Sequence, residues 1–322
     1  PNQKMNVSSS AMNDSNEFQR WCDVVVLGGS AAGLAGALML ARSRRSVIVL
    51  DAGRPRNAPA AHMHGYLGFD GRPPSELIDA ARAEVRSYGV EILSGTANAV
   101  EPAARGFRVN VAGGGAIMAR KVLVATGAVD ELPAIDGLAD HWGAQLIHCP
   151  YCHGWEVRDQ RIVVIATNRM AAHQAALFRQ LSAQVTVVIH DPEQVGETRA
   201  ELAGLDVDVI DAAVRRVVAD GDRLVGVELA NGRVVDAEAV VVATFLRARA
   251  DALEPAGLTA VSHPSGIGTV LEVDPTGATE VRGIYAAGNV TDPSLQVLPA
   301  AAAGSRAGAM INAELVHDRD ET

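Results

Sequence analysis

The segment from Asp23 to Asp51 restricts most strongly what this chain can fold into. Residues 23–27 form an apolar run that predicts a buried parallel strand, because a strand covered on both faces needs no polar alternation. A glycine turn at residues 28–33, an alanine-rich helix to about Arg42 and a second apolar strand ending at Asp51 follow. This order, with an acid about 20 residues beyond the glycines, predicts a dinucleotide-binding unit rather than a plain α/β turn.

The glycines of the turn and the acid that follows the second strand each have a physical role in such a unit. Gly28 allows the tight turn, Gly33 lets the helix approach the sheet, and Asp51 can accept hydrogen bonds from a ribose. The pyrophosphate is expected on the N-terminus of the helix. Ser30 replaces the middle glycine of the usual pattern, so the backbone approach at that point must tolerate a small side chain.

A Cys-x-x-Cys pair formed by Cys149 and Cys152 predicts redox chemistry. The spacing puts both sulfurs on the same side of one helical turn, close enough to exchange a disulfide. An inert pair, half of a zinc site, or c-type haem attachment through Cys152-His153 remain alternatives. Zinc needs two more soft ligands, and Cys22, the only other cysteine, is too far away in sequence to form a second pair. Haem attachment needs export, and no targeting segment is visible; we therefore expect no metal site.

Composition limits the classes of partner. A chain of 322 residues is long enough for two domains, and 48% hydrophobic content indicates packed cores. Only 4% of residues are aromatic and the net charge is −10, which argues against nucleic acid. No apolar stretch reaches the roughly 18 residues of a membrane span, so we expect a cytoplasmic protein, in which a Cys pair is more often catalytic than structural. Residues 1–20 have the composition of a disordered segment or tag, and no function is assigned to them.

A second strand, helix and strand over residues 161–189 indicates an internal duplication, as do the similar strands at residues 121–127 and 239–245. The second copy has no glycine between Val157 and Ile189, so it cannot cradle a pyrophosphate in the usual way. The segment that follows, residues 190–193, is His-Asp-Pro-Glu, where an NADPH site would need arginines. Asp191 could in principle serve an NAD ribose.

Two further stretches are candidates for ligand contact. A loop rich in glycine and histidine at residues 62–71 could touch a cofactor ring, although a solvated loop explains it equally well. Near the C-terminus, a strand and glycine turn at residues 283–290 lead to a helix predicted over residues 300–315. The first turn of that helix would offer backbone N–H groups to an electron-rich ligand edge.

Taken together, these elements resemble the low-molecular-weight thioredoxin reductase family of flavoproteins, from Cys22 to Leu315. Four stretches in the family's order carry the resemblance: residues 28–33 with Asp51, residues 125–127, the Cys149–Cys152 pair, and residues 283–290. The resemblance implies an α/β fold with two Rossmann-like dinucleotide-binding domains of the three-layer ββα type, the second inserted in the first. An FAD domain would comprise residues 21–132 and 251–318, and a degenerate pyridine-nucleotide-type domain, residues 133–250, would carry the pair.

The resemblance also implies residue roles. FAD would be the cofactor, Cys152 would face the flavin, and Cys149 would meet the substrate sulfur. His153 stands where the family's reductases place a proton-carrying aspartate, and Asn289 stands where they place an aspartate on the ribityl chain. An amide can still hydrogen-bond a hydroxyl, so FAD is expected to remain. The expected cofactor contacts are Gly28, Ser30, Ala31, Ala32, Gly33, Asp51, Asn57, His64, Ala97, Thr126, Gly127, Gly288, Asn289, Gln296 and Val297.

The departures from the family pattern resemble the branch that oxidises small-molecule dithiols, such as the gliotoxin and holomycin dithiol oxidases. The resemblance therefore implies a homodimeric flavoenzyme that passes electrons from a dithiol to the Cys pair, to FAD and to molecular oxygen, without NADPH. His153, helped by His148, would take the protons, since an imidazole titrates near neutrality. Two alternatives stay open: a reductase of a thioredoxin-like protein fed by NADPH or ferredoxin, and a flavin-binding redox sensor.

Overall fold

The structure is a computed structural model that describes residues 19–318. The segment predicted as disordered or a tag lies outside the described residues over positions 1–18, whereas Gln19 and Arg20 already belong to the first strand.

The elements follow the predicted alternation of strands and helices. The strands are β1 (Gln19–Leu27), β2 (Val47–Asp51), β3 (Glu91–Ser94), β4 (Ala97–Ala103), β5 (Gly106–Val111), β6 (Ala116–Val124), β7 (Ala128–Glu131), β8 (Leu146–Ile147), β9 (Ile162–Ala166), β10 (Val185–Ile189), β11 (Asp208–Asp211), β12 (Val214–Asp220), β13 (Arg223–Leu229), β14 (Val234–Asp236), β15 (Ala239–Val242), β16 (Phe245–Ala248), β17 (Val261–Ser262), β18 (Thr269–Val270) and β19 (Ile284–Ala286). The α-helices are α1 (Ala31–Arg42), α2 (Pro74–Ser87), α3 (Pro150–His153), α4 (Ala171–Arg179), α5 (Pro192–Val195), α6 (Thr198–Leu202) and α7 (Val297–His317). Short 3₁₀ turns occur at Ala139–His141 and Asp251–Ala256.

The described chain forms two compact units. The first comprises residues 19–55, 78–128 and 248–318, and the second comprises residues 56–77 and 129–247. The second unit is therefore inserted in the first along the sequence, and the predicted α/β class is confirmed. The predicted domain limits differ most at residues 56–77, which we assigned to the FAD domain; the limits themselves stay a prediction.

The first unit is built on a sheet in the order β3-β2-β1-β6-β5-β4, with β19 beside β6. Strands β1, β2, β3, β6 and β19 run parallel, and β4 and β5 add an antiparallel edge. Val24 and Val26 of β1 pack into the core on one face of the sheet, and Val25 and Leu27 pack into the core on the other. Burial on both faces explains why this strand reads as a continuous apolar run.

Helices α1 and α7 cross at glycines, which lets their backbones come unusually close. A Cβ atom on Gly304 would lie 1.9 Å from the carbonyl oxygen of Ala32, and one on Gly308 would lie 2.6 Å from that of Gly36. Small residues four positions apart on one helix face make such an approach possible. Helix α7 begins at Val297, earlier than the predicted residue 300, because Pro299 falls in the first turn, where a missing N–H costs no intrahelical bond.

The second unit repeats the parallel topology. Its main sheet has the order β11-β10-β9-β15-β8, and β9, α4 and β10 form the second strand, helix and strand that the sequence predicted. A three-stranded antiparallel sheet, β12-β13-β14, and a two-stranded one, β16-β7, complete it. Within residues 19–318, no helix combines the length and the apolar character that crossing a membrane requires.

The helix crossing makes a prediction about stability. Gly304→Ala should lower the free energy of unfolding by about 1–3 kcal/mol or more, because its Cβ meets backbone that cannot rotate away. Urea denaturation measures the difference. Gly204→Ala is the matched control, since its Cβ would lie 3.5 Å from the nearest atom, the carbonyl oxygen of Glu201. Equal stability of the two variants would contradict the close crossing.

Candidate active site

The sulfurs of Cys149 and Cys152 are joined in a disulfide across a single helical turn, as the spacing predicted. Cys149 caps α3, and its carbonyl oxygen accepts hydrogen bonds from the backbone N–H groups of Cys152 (3.3 Å) and His153 (3.2 Å). Because the sulfurs bond to each other, neither is available to zinc or haem. No group of three or more metal-ligating side chains occurs within residues 19–318. Cys22 is free but buried, and burial raises the pKa of its thiol to about 12, which makes it unreactive.

His153, directly after the pair, is half-buried, with both ring nitrogens buried and without a hydrogen-bond partner among the described residues. Neither Nδ1 nor Nε2 bonds to any of residues 19–318. Burial lowers the pKa of the imidazole below its ordinary 6.5, although the nearby Glu156 carboxylate opposes the shift. Buried polar groups are normally hydrogen-bonded, so an unpartnered neutral imidazole here is suited to accept a proton from an incoming ligand.

His148, directly before the pair, differs from His153 because its ring has a hydrogen-bond partner. Its Nε2 lies 3.0 Å from Nη2 of Arg56, and because a guanidinium can only donate, Nε2 accepts and the ring proton of neutral His148 lies on Nδ1. Burial and the Arg56 charge lower the pKa of this imidazole to about 4. The ring stacks on Trp142 with centroids 5.4 Å apart. His148 is therefore neutral at physiological pH, with its basic nitrogen already occupied.

Arg56 is held in place by a buried carboxylate. Its Nε and Nη2 donate to the two oxygens of Asp130 at 2.7 and 2.8 Å, a bidentate pair, and the Thr244 hydroxyl donates to the same carboxylate at 2.8 Å. Burial opposes ionisation of Asp130, but the Arg56 hydrogen bonds hold the pKa of the carboxyl below its usual range. The backbone of His148 is held as well, because Gln174 of α4 donates from Nε2 to the His148 carbonyl oxygen at 3.1 Å. Residues 148–153, which carry the Cys pair and are called the redox loop below, are thus held in place by residues that the sequence did not single out.

His64 and Asn57, two predicted cofactor contacts, belong to the second unit together with the Cys pair. Nε2 of His64 lies 3.3 Å from a carboxylate oxygen of Glu156, and Nδ1 lies 3.4 Å from one of Asp70. The carbonyl oxygen of Asn57 accepts from the N–H of Ala60 in a turn. The structure therefore links His64 to the segment that follows the redox loop, and a cofactor contact at either residue stays a prediction.

The glycine turn of the first unit fits a dinucleotide. A Cβ on Gly28 would lie 2.2 Å from the carbonyl oxygen of Ala125, and one on Gly33 would lie 1.9 Å from that of Gly28, so only glycine permits this fold of the backbone. Ser30 caps α1 without a side-chain hydrogen bond to the helix, and the first turn of α1 carries no acid. The turn is therefore shaped to receive a phosphate group.

Asp51 stands at the end of β2, as predicted, and has two partners. One carboxylate oxygen accepts from the backbone N–H of Gly29 at 3.0 Å, and the other accepts from Nη2 of Arg82 at 2.6 Å. Nε of Arg82 is buried and has no partner among residues 19–318. Sequence reasoning missed Arg82 because it lies on α2, 31 residues from Asp51, and no spacing rule links the two positions.

The remaining predicted cofactor contacts also lie in the first unit, and their roles stay predictions. The Thr126 hydroxyl donates to the Arg249 carbonyl oxygen at 2.7 Å, which fixes the turn at Gly127. Gly288 has a φ of 85°, a conformation that favours glycine. The others are Ala31 and Ala32 in the first turn of α1, Ala97 at the start of β4, Gln296 as the residue that caps α7, and Val297 as its first residue.

The amide of Asn289 donates hydrogen bonds that the aspartate of the family pattern could not donate. Its Nδ2 donates to the backbone carbonyl oxygens of Leu295 at 2.9 Å, Asp292 at 3.2 Å and Pro293 at 3.4 Å. These bonds hold the loop that leads into α7. Only Oδ1 then remains as the acceptor for a ribityl hydroxyl.

The equivalent turn of the second unit is occupied by its own side chains. Oδ1 of Asn168 accepts from the backbone N–H of Met170 at 2.9 Å, at the start of α4. His190 accepts from the N–H of Val214 at 3.0 Å, and Asp191 accepts from the N–H of Gln194 at 3.1 Å to cap α5. Asn168, His190 and Asp191 are thus each engaged in a local hydrogen bond.

Residues 22–305 match the pyridine nucleotide-disulphide oxidoreductase family. A thioredoxin reductase of Claviceps purpurea (strain 20.1), tcpT, is 31% identical over 308 residues, which is 92% of this chain and 95% of the relative. Among solved structures, that of HlmI has 42% identity and a TM-score of 0.86 and covers 92% of this chain and 93% of its own. The structure of an oxidoreductase from Agrobacterium tumefaciens has 34% identity and a TM-score of 0.84, and the match covers 92% of this chain and 99% of that one.

Replacing the unusual amide with the aspartate of the family pattern should weaken the loop before α7. In Asn289→Asp a carboxylate oxygen would face three carbonyl oxygens, so we expect the free energy of unfolding to fall by about 1–3 kcal/mol. Urea denaturation of the flavin-free protein measures this change, and flavin absorbance measures the bound cofactor.

The control for this substitution is Asn98→Asp, which makes the same chemical change at an exposed position of β4. Exposed substitutions usually change stability by no more than about 0.5 kcal/mol. If Asn289→Asp were as stable as Asn98→Asp, the donor role of the Asn289 amide would be wrong.

Proposed function

Since the chain belongs to the pyridine nucleotide-disulphide oxidoreductase family and is an FAD-binding oxidoreductase acting on sulfur groups, we propose that it closes a small-molecule dithiol into a disulfide. Molecular oxygen is the proposed terminal acceptor, and no nicotinamide takes part. The observation that carries the proposal is the Cys149–Cys152 disulfide followed directly by His153, whose two buried ring nitrogens have no hydrogen-bond partner among the described residues.

The Cys pair takes two electrons from the dithiol in two exchange steps. A substrate thiolate attacks Sγ of Cys149, the Cys149–Cys152 bond breaks, and Cys152 leaves as a thiolate. The second substrate thiolate then attacks the substrate sulfur bound to Cys149, which forms the substrate disulfide and releases Cys149. FAD, which the glycine turn at residues 28–33 and Asp51 would hold, would supply the acceptor for the two electrons left on the pair, with oxygen as the proposed final oxidant. The assignment of Cys149 to the substrate side and Cys152 to the flavin side follows the resemblance to the family.

His153 removes the substrate protons. Its lowered pKa keeps the imidazole neutral and ready to accept a proton at neutral pH. His148 has a positioning role in this proposal, because Arg56 already occupies its Nε2 and its pKa of about 4 prevents protonation in that range. Tyr151, which lies between the two cysteines in sequence, is exposed and offers an aromatic face to an apolar substrate.

The second unit supports a mechanism without nicotinamide. A pyrophosphate needs free backbone N–H groups at a glycine turn, and here Asn168 takes the N–H of Met170. A 2′-phosphate needs a basic partner, and residues 190–193, which follow β10, are His-Asp-Pro-Glu without an arginine. Oxygen requires no such binding site. The homodimeric state, which the resemblance implies, and the cytoplasmic location, which the sequence led us to expect, remain predictions.

A reductase is the second candidate function. It is favoured by the names of relatives such as the thioredoxin reductase sirT of Leptosphaeria maculans, which is 28% identical and covered over 93% of its length. The same pair would then reduce a disulfide partner with electrons from NADPH or another donor.

Anaerobic stopped-flow mixing separates the two functions. NADPH and NADH should leave the flavin yellow, because the second unit lacks a pyrophosphate cradle, while dithiothreitol should bleach it promptly. Admitting air should then restore the colour and produce hydrogen peroxide. Bleaching by NADPH within milliseconds to seconds would reject the oxidase and support the reductase.

His153→Ala should slow flavin reduction by dithiothreitol roughly 10²–10⁴-fold near neutral pH, with FAD retained. Because burial lowers the pKa of His153, the base is present from below pH 6.5 upward. The wild-type rate should therefore be nearly constant from that point to the thiol pKa, about 8.5 for an ordinary thiol. The variant depends on preformed thiolate, so its rate should rise about tenfold per pH unit over this range.

His173→Ala, an exposed histidine of α4, is the control. Its rate and pH profile should match those of the wild type. A change of less than about threefold in His153→Ala, with an unaltered pH profile, would make His153 structural rather than the base.

A further inference from the structure

We propose that Arg82 of α2 is a positioning residue of the FAD site, where it holds Asp51 for the adenosine ribose and offsets the charge of that carboxylate. Arg82 and Asp51 both belong to the first unit. The proposal concerns only the binding of the cofactor, so it does not depend on the direction in which electrons flow. It gives a role to an arginine that the proposed redox chemistry does not use.

Arg82 stands on the side of α2 that faces the core. Ile78 precedes it by four residues and Val85 follows it by three, so the three side chains lie on one face of the helix. Ile78 and Val85 are buried and pack in the same core as Val49 of β2. Arginine is rarely found on such a face unless it is paired. The packing of α2 alone therefore does not explain an arginine at this position.

The pair that Arg82 forms with Asp51 uses one end of the guanidinium. Nη2 donates to Oδ2 of Asp51 at 2.6 Å, while Nε is buried and has no partner among residues 19–318. Arg56, by contrast, donates to both oxygens of Asp130 through Nε and Nη2, and such a bidentate pair is the stronger kind. A buried donor without a partner lowers stability. The contact of Arg82 is thus not the one that stability alone would favour, and it leaves more of the Asp51 carboxylate free.

The free part of the Asp51 carboxylate matches what a ribose needs. An ionised carboxylate offers about four acceptor positions. The N–H of Gly29 takes one of them on Oδ1 at 3.0 Å, and Arg82 takes one on Oδ2. About two remain, one on each oxygen, for the two hydroxyl groups of a ribose. Because Gly29 and Arg82 hold the carboxylate from both sides, it is oriented before the ligand arrives, which lowers the cost of binding.

Asp51 also lies against the turn that is expected to receive the pyrophosphate. A Cβ atom on Gly29 would lie 2.8 Å from Cγ of Asp51 and 3.0 Å from its Oδ2, so a side chain at position 29 would displace the carboxylate. An uncompensated carboxylate so close to the N-terminus of α1 would repel a pyrophosphate. With the guanidinium of Arg82 bonded to Oδ2, the pair is formally neutral. The N-terminus of α1 then keeps its attraction for phosphate groups.

Arg82 therefore favours FAD binding in two ways, by orientation and by charge. Both effects act through Asp51, and neither requires Arg82 to touch the cofactor. This distinguishes a positioning residue from a direct ligand contact, and the difference can be measured.

The equilibrium dissociation constant of FAD tests the role of Arg82. It is measured by diluting the holoenzyme and following the fluorescence of the released flavin. Arg82→Met should raise this constant about 10-fold to 100-fold, the range expected for the loss of a hydrogen bond between charged groups. Arg86→Met makes the same change at an exposed position of the same helix and is the matched control. It should bind FAD as tightly as the wild type.

A double-mutant cycle with Asp51→Asn separates positioning from direct contact. Asp51→Asn removes the charge that Arg82 offsets and should itself weaken FAD binding. In this background Arg82→Met should change the dissociation constant by less than about threefold, because no carboxylate is left to hold. Arg82→Lys keeps the positive charge, so it should recover most of the affinity that Arg82→Met loses.

Three outcomes would overturn the proposal. FAD binding as tight in Arg82→Met as in Arg86→Met would leave the pair with a purely structural role. An equal loss with and without Asp51→Asn would make Arg82 a direct ligand contact, and no recovery in Arg82→Lys would contradict the charge offset. If Arg82→Met failed to fold, Arg82→Gln, which keeps a donor without the charge, would take its place in the cycle with the same expected losses. The measurement uses neither dithiol nor oxygen, so its result stands whether or not the proposed oxidase does.

Discussion

The burial of both ring nitrogens of His153 is the constraint on which the candidate active site depends. Desolvation lowers the pKa of the imidazole, and neither nitrogen has a partner among residues 19–318, so both stay available to an incoming ligand. His148, five residues earlier, is the same residue type in a different state, because Arg56 occupies its Nε2. Two histidines that flank one disulfide therefore differ in hydrogen bonding, because their environments differ.

The two strand-helix-strand units differ at the turn between the first strand and the helix. In the first, Gly28 and Gly33 let the backbone fold tightly enough to leave the N-terminus of α1 open. In the second, Asn168 fills the corresponding turn with its own side chain. The sheets are alike, but the chemistry differs, because a phosphate site depends on unoccupied N–H groups rather than on strand order.

At Asn289 a single side-chain atom, Nδ2, makes the hydrogen bonds that hold the loop before α7. An aspartate could accept a hydrogen bond from a flavin side chain, but it could not donate to the three carbonyl oxygens of the loop before α7. The amide therefore couples the cofactor side of the first unit to the start of the helix that crosses α1 at Gly304 and Gly308.

The sequence by itself determined the α/β class, the two strand-helix-strand units, the disulfide and the glycine turn with Asp51, because apolar runs, fixed spacings and glycine all act over a few residues. Element ends were less predictable, as the early starts of β1 and α7 show. Only the tertiary structure decided that Arg56 pairs with Asp130, 74 residues away, and with His148, 92 residues away, that Arg82 holds Asp51, and that His64 meets Glu156. A charged side chain has no periodicity that names its partner, so its state depends on which loops the fold brings together and how much water they exclude.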